Sequence, residues 1–427
     1  PSTSMGCDVG GSIISHGLDN GDGGGTAANG QLEAGEVDYS TTFCTKSTFV
    51  RVDGNNDSPS GAYISSNQII FNNELYFSGY DSAYGYELWK YDGINAPSVV
   101  ADIRIGTGSS YPNQFTIFNN ELYFEANNGI NGSELYMYDG INSPELIDIV
   151  PGNYQSSSPS ELTVYNNELY FSANGNGDGI ELWKYDGVNA PTIVADIHPG
   201  QYSSYPRHLT VFDNRLYFRA YEAAHGMELW AYNGVNAPYM VADIYPGQSH
   251  SEPTDLMVFN NSLYFQADDG ISGTELWSYD GINAPSMVAD IRYGSDGSGA
   301  SQFVEFNNEL FFTANDDWRG TELWKYDGVN NPGIVSDIRP SLFSSYPSSL
   351  NIYDNALYFG ADDGTHGAEL WKYDGTNAPS MVADINTGQY GSEPGGLISF
   401  NGDLCFYATN SMGVDDFWKY TQQTTIT

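Results

Sequence analysis

Apolar and polar positions follow a pattern that repeats every 47 residues over most of the chain. The phrase Glu-Leu-Trp-Lys-Tyr-Asp-Gly, or a close variant, marks each repeat, and a divergent last copy starts at Asp416. The other copies start at Glu87, Glu134, Glu181, Glu228, Glu275, Glu322 and Glu369. A fixed spacing of about 20–50 residues is typical of solenoids, propellers and other repeat arrays. The sequence therefore predicts a chain of equal modules.

Each repeat contains four short apolar runs. The first ends in Asn-Asn or a similar pair, as in residues 115–120, and the second contains a Leu-Tyr-Phe triplet, as in residues 122–124. The third contains the Trp phrase, and the fourth closes on Asp-Ile, as in residues 287–291. Short runs that are rich in aromatic and β-branched residues and bounded by Asn, Asp, Gly or Pro are typical of strands and turns. We therefore predict four antiparallel strands, A to D, in which the Asn-Asn pairs supply the positive φ angles of hairpin turns.

A single four-stranded sheet of this size cannot bury both of its faces. Stacking such sheets around an axis gives a β-propeller, which leaves only short, protected edges. In that arrangement the Trp and Tyr of strand C pack between neighbouring blades. A β-solenoid is the competing geometry, but its rungs are shorter and lack four distinct strand types. The sequence thus predicts an all-β propeller.

The number of strands of each type predicts how the ring closes. Strands A, B and C occur eight times, whereas the Asp-Ile strand D occurs seven times, and an additional strand-like segment lies at residues 49–53. A segment from the N-terminal end that supplied the missing strand D would join both ends of the domain and remove two sheet edges. We therefore predict eight blades over residues 47–427, closed by the N-terminal strand.

The repeated acids and the histidines offer candidate chemistry. A glutamate that recurs in every blade favours an architectural role, as an acceptor for turn amides or for a neighbouring blade, over acid–base catalysis. The strand D aspartates either fix the crossing to the next strand A or form a cation-binding ring; they are Asp102, Asp148, Asp196, Asp243, Asp290, Asp337 and Asp384. The six histidines are scattered along the chain, so we expect that symmetry does not bring them together as a metal or catalytic cluster.

The charge of the chain excludes one class of partner. The formal net charge is −40, with only 14 Lys and Arg residues. Because binding to a phosphate backbone needs cations, nucleic acid is excluded as a natural partner, and anionic membranes are disfavoured. No run of residues is long and apolar enough for a transmembrane helix, so we expect no membrane insertion.

Residues 1–46 lie outside the repeat and form a Gly- and Asp-rich appendage bracketed by Cys7 and Cys44. A segment this small cannot be held by apolar burial, but a Cys7–Cys44 disulfide and a bound metal would stabilise it. With Asn29 at position 5 of a calcium loop, Gly30, Leu32 and Glu36 fall at positions 6, 8 and 12. Gly25 then stands at position 1, so an upstream aspartate must reach in. The predicted calcium ligands are Asp19, Asn20, Asp22, Asn29, Gln31 and Glu36.

The appendage resembles small, disulfide-bracketed, EF-hand-like modules of secreted bacterial proteins. The resemblance rests on Gly17–Leu18–Asp19–Asn20–Gly21–Asp22–Gly23 and on the closing Glu36–Val37. It implies a Ca²⁺-binding appendage. The alternative is a flexible acidic linker that binds no metal.

The loops from strand D to the next strand A are the most ligand-like surface of the predicted propeller. Several carry Ser-Ser-Tyr-Pro and others Ser-Glu-Pro, and in a propeller these loops gather on one face near the axis. Tyr, Ser and carboxylate groups together suit sugar hydroxyls or a protein partner. The alternative is that Ser and Pro only set the turn. The residues of this predicted ligand face are Tyr111, Tyr205, Glu252, Tyr346 and Glu393.

The repeated phrase resembles the ELWxxDGT repeat family of bacterial surface and secreted proteins over residues 67–420. It differs in having Tyr before Asp-Gly and Asn-Ala-Pro after it. The resemblance implies an extracellular or cell-surface location and no particular activity. The leading hypothesis is a secreted, non-enzymatic structural or adhesive protein, a subunit of an extracellular assembly or filament linked through its appendage to neighbouring copies or other extracellular proteins. The alternatives are a polysaccharide-active hydrolase or lyase and a glycan-binding, lectin-like propeller.

Overall fold

The computed structural model describes residues 11–17, 37–52, 67–152, 155–175 and 177–426. All regular elements in these ranges are β-strands. Across the same ranges, no helix is long and apolar enough to span a membrane. The predicted all-β class is confirmed.

Two strands precede the repeats, β1 (Gly11–Gly17) and β2 (Val37–Arg51). Strands A of blades 1 to 8 are Gln68–Phe71, Asn113–Phe118, Ser160–Tyr165, Arg207–Phe212, Thr254–Phe259, Ser301–Phe306, Ser348–Tyr353 and Gly395–Phe400. Strands B are Glu74–Asp81, Glu121–Asn127, Glu168–Gly175, Arg215–Glu222, Ser262–Asp268, Glu309–Asn315, Ala356–Asp362 and Asp403–Thr409. Strands C are Gly85–Tyr91, Ser133–Tyr138, Gly179–Tyr185, Gly226–Tyr232, Thr274–Tyr279, Thr321–Tyr326, Ala368–Tyr373 and Asp415–Ile426. Strands D of blades 1 to 7 are Ser98–Ala101, Glu145–Ile147, Thr192–Ala195, Tyr239–Ala242, Ser286–Ala289, Gly333–Ser336 and Ser380–Ala383.

Each of the first seven blades is an antiparallel sheet in the order A-B-C-D. Strands A of successive blades contact one another, and strand A of blade 1 contacts strand A of blade 8. The ring is therefore closed, with strand A innermost and strand D outermost. The predicted eight-bladed β-propeller is confirmed.

The turns between strands A and B explain why Asn pairs recur. In blade 2 both turn residues have positive φ, 50° at Asn119 and 62° at Asn120. Two-residue hairpin turns of type I′ need this conformation, and Asn adopts it more readily than most residues. Because the strands are antiparallel, the A–B and C–D turns share one face, called here the lower face. The B–C and D–A loops share the opposite, upper face.

The core lies between neighbouring blades. Trp89 and Tyr91 on strand C of blade 1 pack with Phe400 and Phe417 of blade 8. The tyrosine contributes an edge-on contact, since the Tyr91 and Phe417 ring centroids lie 5.5 Å apart at 83°. Burial of one such side chain stabilises the fold by roughly 2–3 kcal/mol, so the packing between blades holds the ring together. The predicted packing of the strand C aromatics between blades is confirmed.

Blade 8 takes its outer strand from the other end of the chain. Strand β2 pairs with strand C of blade 8, with Phe49 opposite Tyr420. Beside them the Arg51 guanidinium lies 2.8 Å from the carboxylate of Asp416. The predicted closure by the N-terminal strand is confirmed, but β2 is much longer than the predicted segment 49–53. Asp53 itself lies outside the described residues.

The N-terminal strands extend this last sheet beyond the ring. Strand β1 pairs with the outer half of β2, which gives a five-stranded sheet in the order β1-β2-C-B-A. Strand β2 crosses position 46, where the predicted appendage ends. Cys44 lies in β2 with its backbone opposite Gly11, whereas Cys7, its predicted disulfide partner, lies outside the described residues.

Candidate functional site

The repeated glutamate of each Trp phrase is fully buried and binds the loop that leads to the next blade. In each of the first seven blades, its carboxylate accepts a hydrogen bond from a serine hydroxyl at 2.5–2.6 Å. We call this arrangement the Glu–Ser clasp. Its glutamates are Glu87, Glu134, Glu181, Glu228, Glu275, Glu322 and Glu369, and its serines are Ser110, Ser157, Ser204, Ser251, Ser298, Ser345 and Ser392.

The clasp in blade 5 shows how completely the carboxylate is used. Glu275 Oε1 accepts from the backbone N–H groups of Arg292, at 3.1 Å, and of Ser298, at 2.9 Å. Glu275 Oε2 accepts from the N–H of Ile291 at 3.1 Å and from the Ser298 hydroxyl at 2.6 Å. The carboxylate therefore fixes the D–A crossing, and the predicted architectural role of the repeated glutamate is confirmed.

Burial raises the pKa of the clasp glutamates, to about 7 at Glu228 and at Glu322, although hydrogen bonds from Ser251 and Ser345 oppose the rise. The protonated form also has a suitable partner. The Ser251 hydroxyl lies 3.3 Å from the carbonyl oxygen of Met227, so it can donate there while it accepts from a protonated Glu228. The clasp can therefore bind the loop in either protonation state.

The strand D aspartates directly follow the outermost strand in each of blades 1 to 7, and so they do not converge at the axis. Asp102 Oδ2 accepts a hydrogen bond from the N–H of Gly106 at 3.1 Å, and Asp196 Oδ2 accepts from Gly200 at the same distance. This interaction shapes the start of the D–A loop. In the described part of the chain, no three His, Cys, Asp or Glu side chains are close enough to hold a metal ion.

A second ring lies at the axis, where strand A bulges in blades 2 to 8; the bulge residue is Gly396 in blade 8 and carries a side chain in blades 2 to 7. The bulge residues have φ between 55° and 63°, and their register with strand B is shifted. A positive φ strains the backbone of any residue other than Gly, so the surrounding structure must hold the bulge in this conformation. We call these residues the axial bulge ring: Gln114, Glu161, His208, Asp255, Gln302 and Ser349.

The bulge residues are linked side chain to backbone around the axis. Glu161 Oε2 accepts from the N–H of His208 at 2.8 Å, and His208 Nδ1 accepts from the N–H of Asp255 at 3.3 Å. The imidazole of His208 is therefore neutral: Nδ1 carries no proton, and the single ring proton is on Nε2. Burial lowers the pKa of His208, and the neighbouring Arg219 lowers it further, although Glu161 raises it.

Sequence reasoning missed this ring. It treated the histidines as dispersed, yet His208 lies between two acids at the axis, and His198 and His250 both contact Tyr221. The available signal was variation within the repeat: at the bulge position the residue changes among Gln, Glu, His, Asp and Ser from blade to blade.

The predicted ligand-face residues all lie in D–A loops on the upper face, at one equivalent position. Their φ angles are 46–50°, each directly before a proline. Tyr111, Tyr205 and Tyr346 are exposed. The structure places these residues on one face but in different blades. Within the described residues, no two of them are joined by a hydrogen bond, an ion pair or a ring contact. They are Tyr111, Tyr205, Glu252, Tyr346 and Glu393.

Aromatic side chains concentrate on the upper face of blade 4. The His198 ring lies 5.0 Å from that of Tyr202, stacked, and 4.9 Å from that of Tyr221, edge-on. Tyr221 also stacks with His250 at 5.7 Å. Tyr205 lines the same depression as His198, Tyr202 and Tyr221. We call these residues the blade-four face: His198, Tyr202, Tyr205, Tyr221 and His250.

The predicted calcium ligands, Asp19, Asn20, Asp22, Asn29, Gln31 and Glu36, all lie outside the described residues. The remaining cysteine, Cys405, is buried in strand B of blade 8. Its burial raises the pKa of the thiol to about 12, so the thiol is an inert part of the core. This agrees with its position in the repeat, where other blades carry Tyr or Phe.

No protein-family model matches the chain, and no curated protein matches it. Among solved structures, the computationally designed Ika8 protein is 16% identical with a TM-score of 0.52, over 87% of this chain and 100% of that one. A prolyl endopeptidase is 9% identical with a TM-score of 0.52, over 84% of this chain and 54% of that one. The β-propeller domain of the Trilobed protease from Pyrococcus furiosus is 12% identical with a TM-score of 0.46, over 76% of this chain and 99% of that one. At these identities the likeness shows the propeller fold alone.

Proposed function

We propose that this chain is a secreted, non-enzymatic structural or adhesive surface protein that joins neighbouring copies through its N-terminal strands. The observation that carries the proposal is a β-ribbon that continues the last blade outward from the ring. In blades 1 to 7 strand C ends at the tyrosine equivalent to Tyr420. In blade 8 it continues through Thr421–Ile426, paired with Phe43–Thr48 of β2.

The ribbon then continues as a hairpin. Beyond the end of strand C, Val37–Cys44 of β2 pair with β1. At about 3.3 Å per residue, the stretch Val37–Thr48 of β2 spans about 40 Å. It leaves from the end of strand C, which lies at the lower face. The ring thus carries an arm of β-structure comparable in length to a small domain.

The arm presents open sheet edges within the described residues. Strand β1 is the terminal strand of its sheet, and no described strand pairs with Val37–Thr42 of β2 on the side of strand C. Unpaired N–H and C=O groups along such an edge are a template for another strand. Strand addition provides affinity through main-chain hydrogen bonds. A second copy of this chain, which carries the same edges, is the proposed partner.

The test is the assembly state of the full chain, with and without calcium, by light scattering and negative-stain electron microscopy. We expect concentration-dependent oligomers or filaments. In an edge strand, alternate N–H groups point away from the sheet. Ile13→Pro and Ile14→Pro therefore form a pair: one removes an N–H that points outward, and the other removes an N–H that pairs with β2. The variant that removes the outward N–H should abolish assembly and leave the melting temperature of the propeller unchanged.

A monomer at all concentrations, with and without calcium, would contradict the proposal. Assembly that both proline variants leave intact would place the contact elsewhere.

A glycan-directed role, as a lectin or as a polysaccharide-active enzyme, is the second candidate function. It is favoured by the row formed by Glu161, His208 and Asp255 at the axis, and a screen for cleavage of polysaccharides tests its enzymatic form.

A further inference from the structure

Two arginines lie directly opposite each other on strands A and B of blade 4, Arg207 and Arg219. Side chains in such a pair have Cβ atoms about 5 Å apart, and like charges there destabilise the sheet. The ion pairs of arginine in the described residues involve Arg51, Arg215, Arg292, Arg319 and Arg339. Arg207 and Arg219 are not among them, so their mutual repulsion is not neutralised by a contacting carboxylate.

Arg219 also carries a buried polar atom without a partner. Its Nε is buried and makes no hydrogen bond to any described residue. A buried donor without an acceptor costs about 1–3 kcal/mol, and more when the group is charged. Burial lowers the pKa of Arg219, although the carboxylate of Glu252 raises it. Folding alone therefore disfavours a cation at this position.

The equivalent positions in other blades show that the fold does not need cations here. In blade 5 the pair is Thr254 and Gln266, joined by a hydrogen bond of 3.1 Å. In blade 6 it is Ser301 and Thr313, joined at 3.0 Å. A chain with 14 Lys and Arg against 54 Asp and Glu nevertheless places two arginines in blade 4. The pair is a departure from the repeat that the architecture does not explain.

Each of the two arginines lies two residues from a tyrosine of the blade-four face. Arg219 and Tyr221 are two residues apart on strand B, so their side chains leave the same face of the sheet. Tyr205 precedes Arg207 by two residues and is 44% exposed. The Tyr221 N–H donates to the carbonyl oxygen of Ser204 at 2.7 Å, which fixes this loop against strand B. Cationic and aromatic groups thus meet on one face.

We infer that this site binds the acidic group of a saccharide, a uronate carboxylate or a sulfate ester. The planar guanidinium groups of Arg207 and Arg219 match such oxyanions in geometry and charge. The rings of Tyr205 and Tyr221 offer an apolar body beside a hydroxyl, which suits the face and the hydroxyls of a sugar. The inference goes beyond assembly through the N-terminal arm and does not depend on it.

The test compares the full chain with the double variant Arg207→Thr/Arg219→Gln, which copies the pair that blade 5 already uses. The probes are trigalacturonate, a sulfated galactose trisaccharide and neutral galactotriose, titrated by calorimetry at physiological salt. We expect the wild-type chain to bind at least one acidic probe at least tenfold more tightly than the neutral one. The double variant should lose at least tenfold. The stronger of the two acidic probes identifies the source of the oxyanion.

A matched control, Lys90→Gln/Lys325→Gln, removes the same charge from strands C of other blades and should bind like the wild type. A second readout needs no ligand: the double variant should melt at a higher temperature, because the repulsion and the unpaired donor are gone.

Equal binding by double variant and wild type would overturn the inference, and so would a wild type that binds neither acidic probe. Tighter binding of a polyglutamate peptide than of both acidic saccharides would assign the site to a protein partner and refute the saccharide. A double variant that melts below the wild type would contradict the unrelieved repulsion.

Discussion

The Glu–Ser clasp and the axial bulge ring are both built blade by blade, yet different parts of their chemistry repeat. In the clasp, the same two side chains recur in seven blades with Oγ–Oε2 distances of 2.5–2.6 Å. In the ring, the backbone recurs, with φ of 55–63°, while the side chain changes from Gln to Glu, His, Asp and Ser. Residue identity therefore repeats where a side chain supports the fold, and it varies where the backbone alone is required.

Blade 8 carries a different acid at the clasp position. The outer strand of this blade is β2, and most of the connection from β2 to strand A of blade 1 lies outside the described residues. Asp416 replaces the glutamate; its carboxylate accepts from Asn410 Nδ2 at 2.6 Å and pairs with Arg51 of β2. The buried acid is kept, but its partners now join the two ends of the chain. The clasp position thus serves closure as well as crossing.

The strongest test of the contrast removes one clasp carboxylate. We expect Glu275→Ala to lower the free energy of unfolding by about 4 kcal/mol, because it leaves three backbone N–H groups and a hydroxyl in the interior without an acceptor. Denaturant unfolding followed by tryptophan fluorescence measures the change. Ser298→Ala, which removes one donor and keeps the carboxylate, is the matched control and should cost about 1–2 kcal/mol. A loss below about 1 kcal/mol for Glu275→Ala would show that the clasp is not the support of the crossing.

The clasp also predicts how stability changes with pH. The pKa of Glu228 is raised by burial from 4.5 to about 7 in the folded chain, so its stabilising contribution is complete below pH 4.5 and is lost as the pH rises through 7. The loss for this one group is on the order of 3 kcal/mol. Glu228→Gln, which does not titrate, should therefore show a shallower fall in unfolding free energy between pH 4.5 and pH 8 than the wild type. Parallel curves for the two proteins would refute the raised pKa.

The bulge ring should tolerate change far better. We expect Gln302→Ala to lower the free energy of unfolding by about 1 kcal/mol, since it removes the acceptor for the Ser349 N–H at a half-solvated axis. Glu161→Gln keeps an amide oxygen for the His208 N–H and should change stability by less than about 0.5 kcal/mol. The same unfolding measurement applies. If Gln302→Ala destabilised the chain as strongly as Glu275→Ala, the ring would be structural and the contrast would fail.

The repeat made the fold predictable in unusual detail. A constant 47-residue period gave the blade, the four strand types gave its topology, and the missing eighth strand D gave the closure by residues near Phe49. Each of these depends on local pattern or on counting, which a sequence carries directly. The length of β2 and its pairing with β1 escaped prediction, because residues 1–46 lie outside the repeat from which the blade strands were predicted.

The candidate sites were predictable only in part. The D–A loop positions could be identified because Tyr and Glu precede proline there, and the structure places all five on the upper face. The pairing of Arg207 with Arg219 could not be read from the chain, since it depends on a bulge that shifts the register of strand A against strand B. The grouping of His198, Tyr221 and His250 likewise arises from two different loops that meet over one strand.

The sequence by itself determined the modules, their number and the residues that each module needs in its core, because a periodic pattern of apolar residues dictates strands that must be buried by their neighbours. Only the tertiary structure decided which of the varied positions face one another. Contacts around the axis join residues 47 positions apart, and contacts over the upper face join residues of separate loops to one strand. No local preference encodes either kind of contact. Two cations placed side by side on blade 4 are the clearest example: neither stands out within its own strand, and only the structure shows that they lie opposite each other.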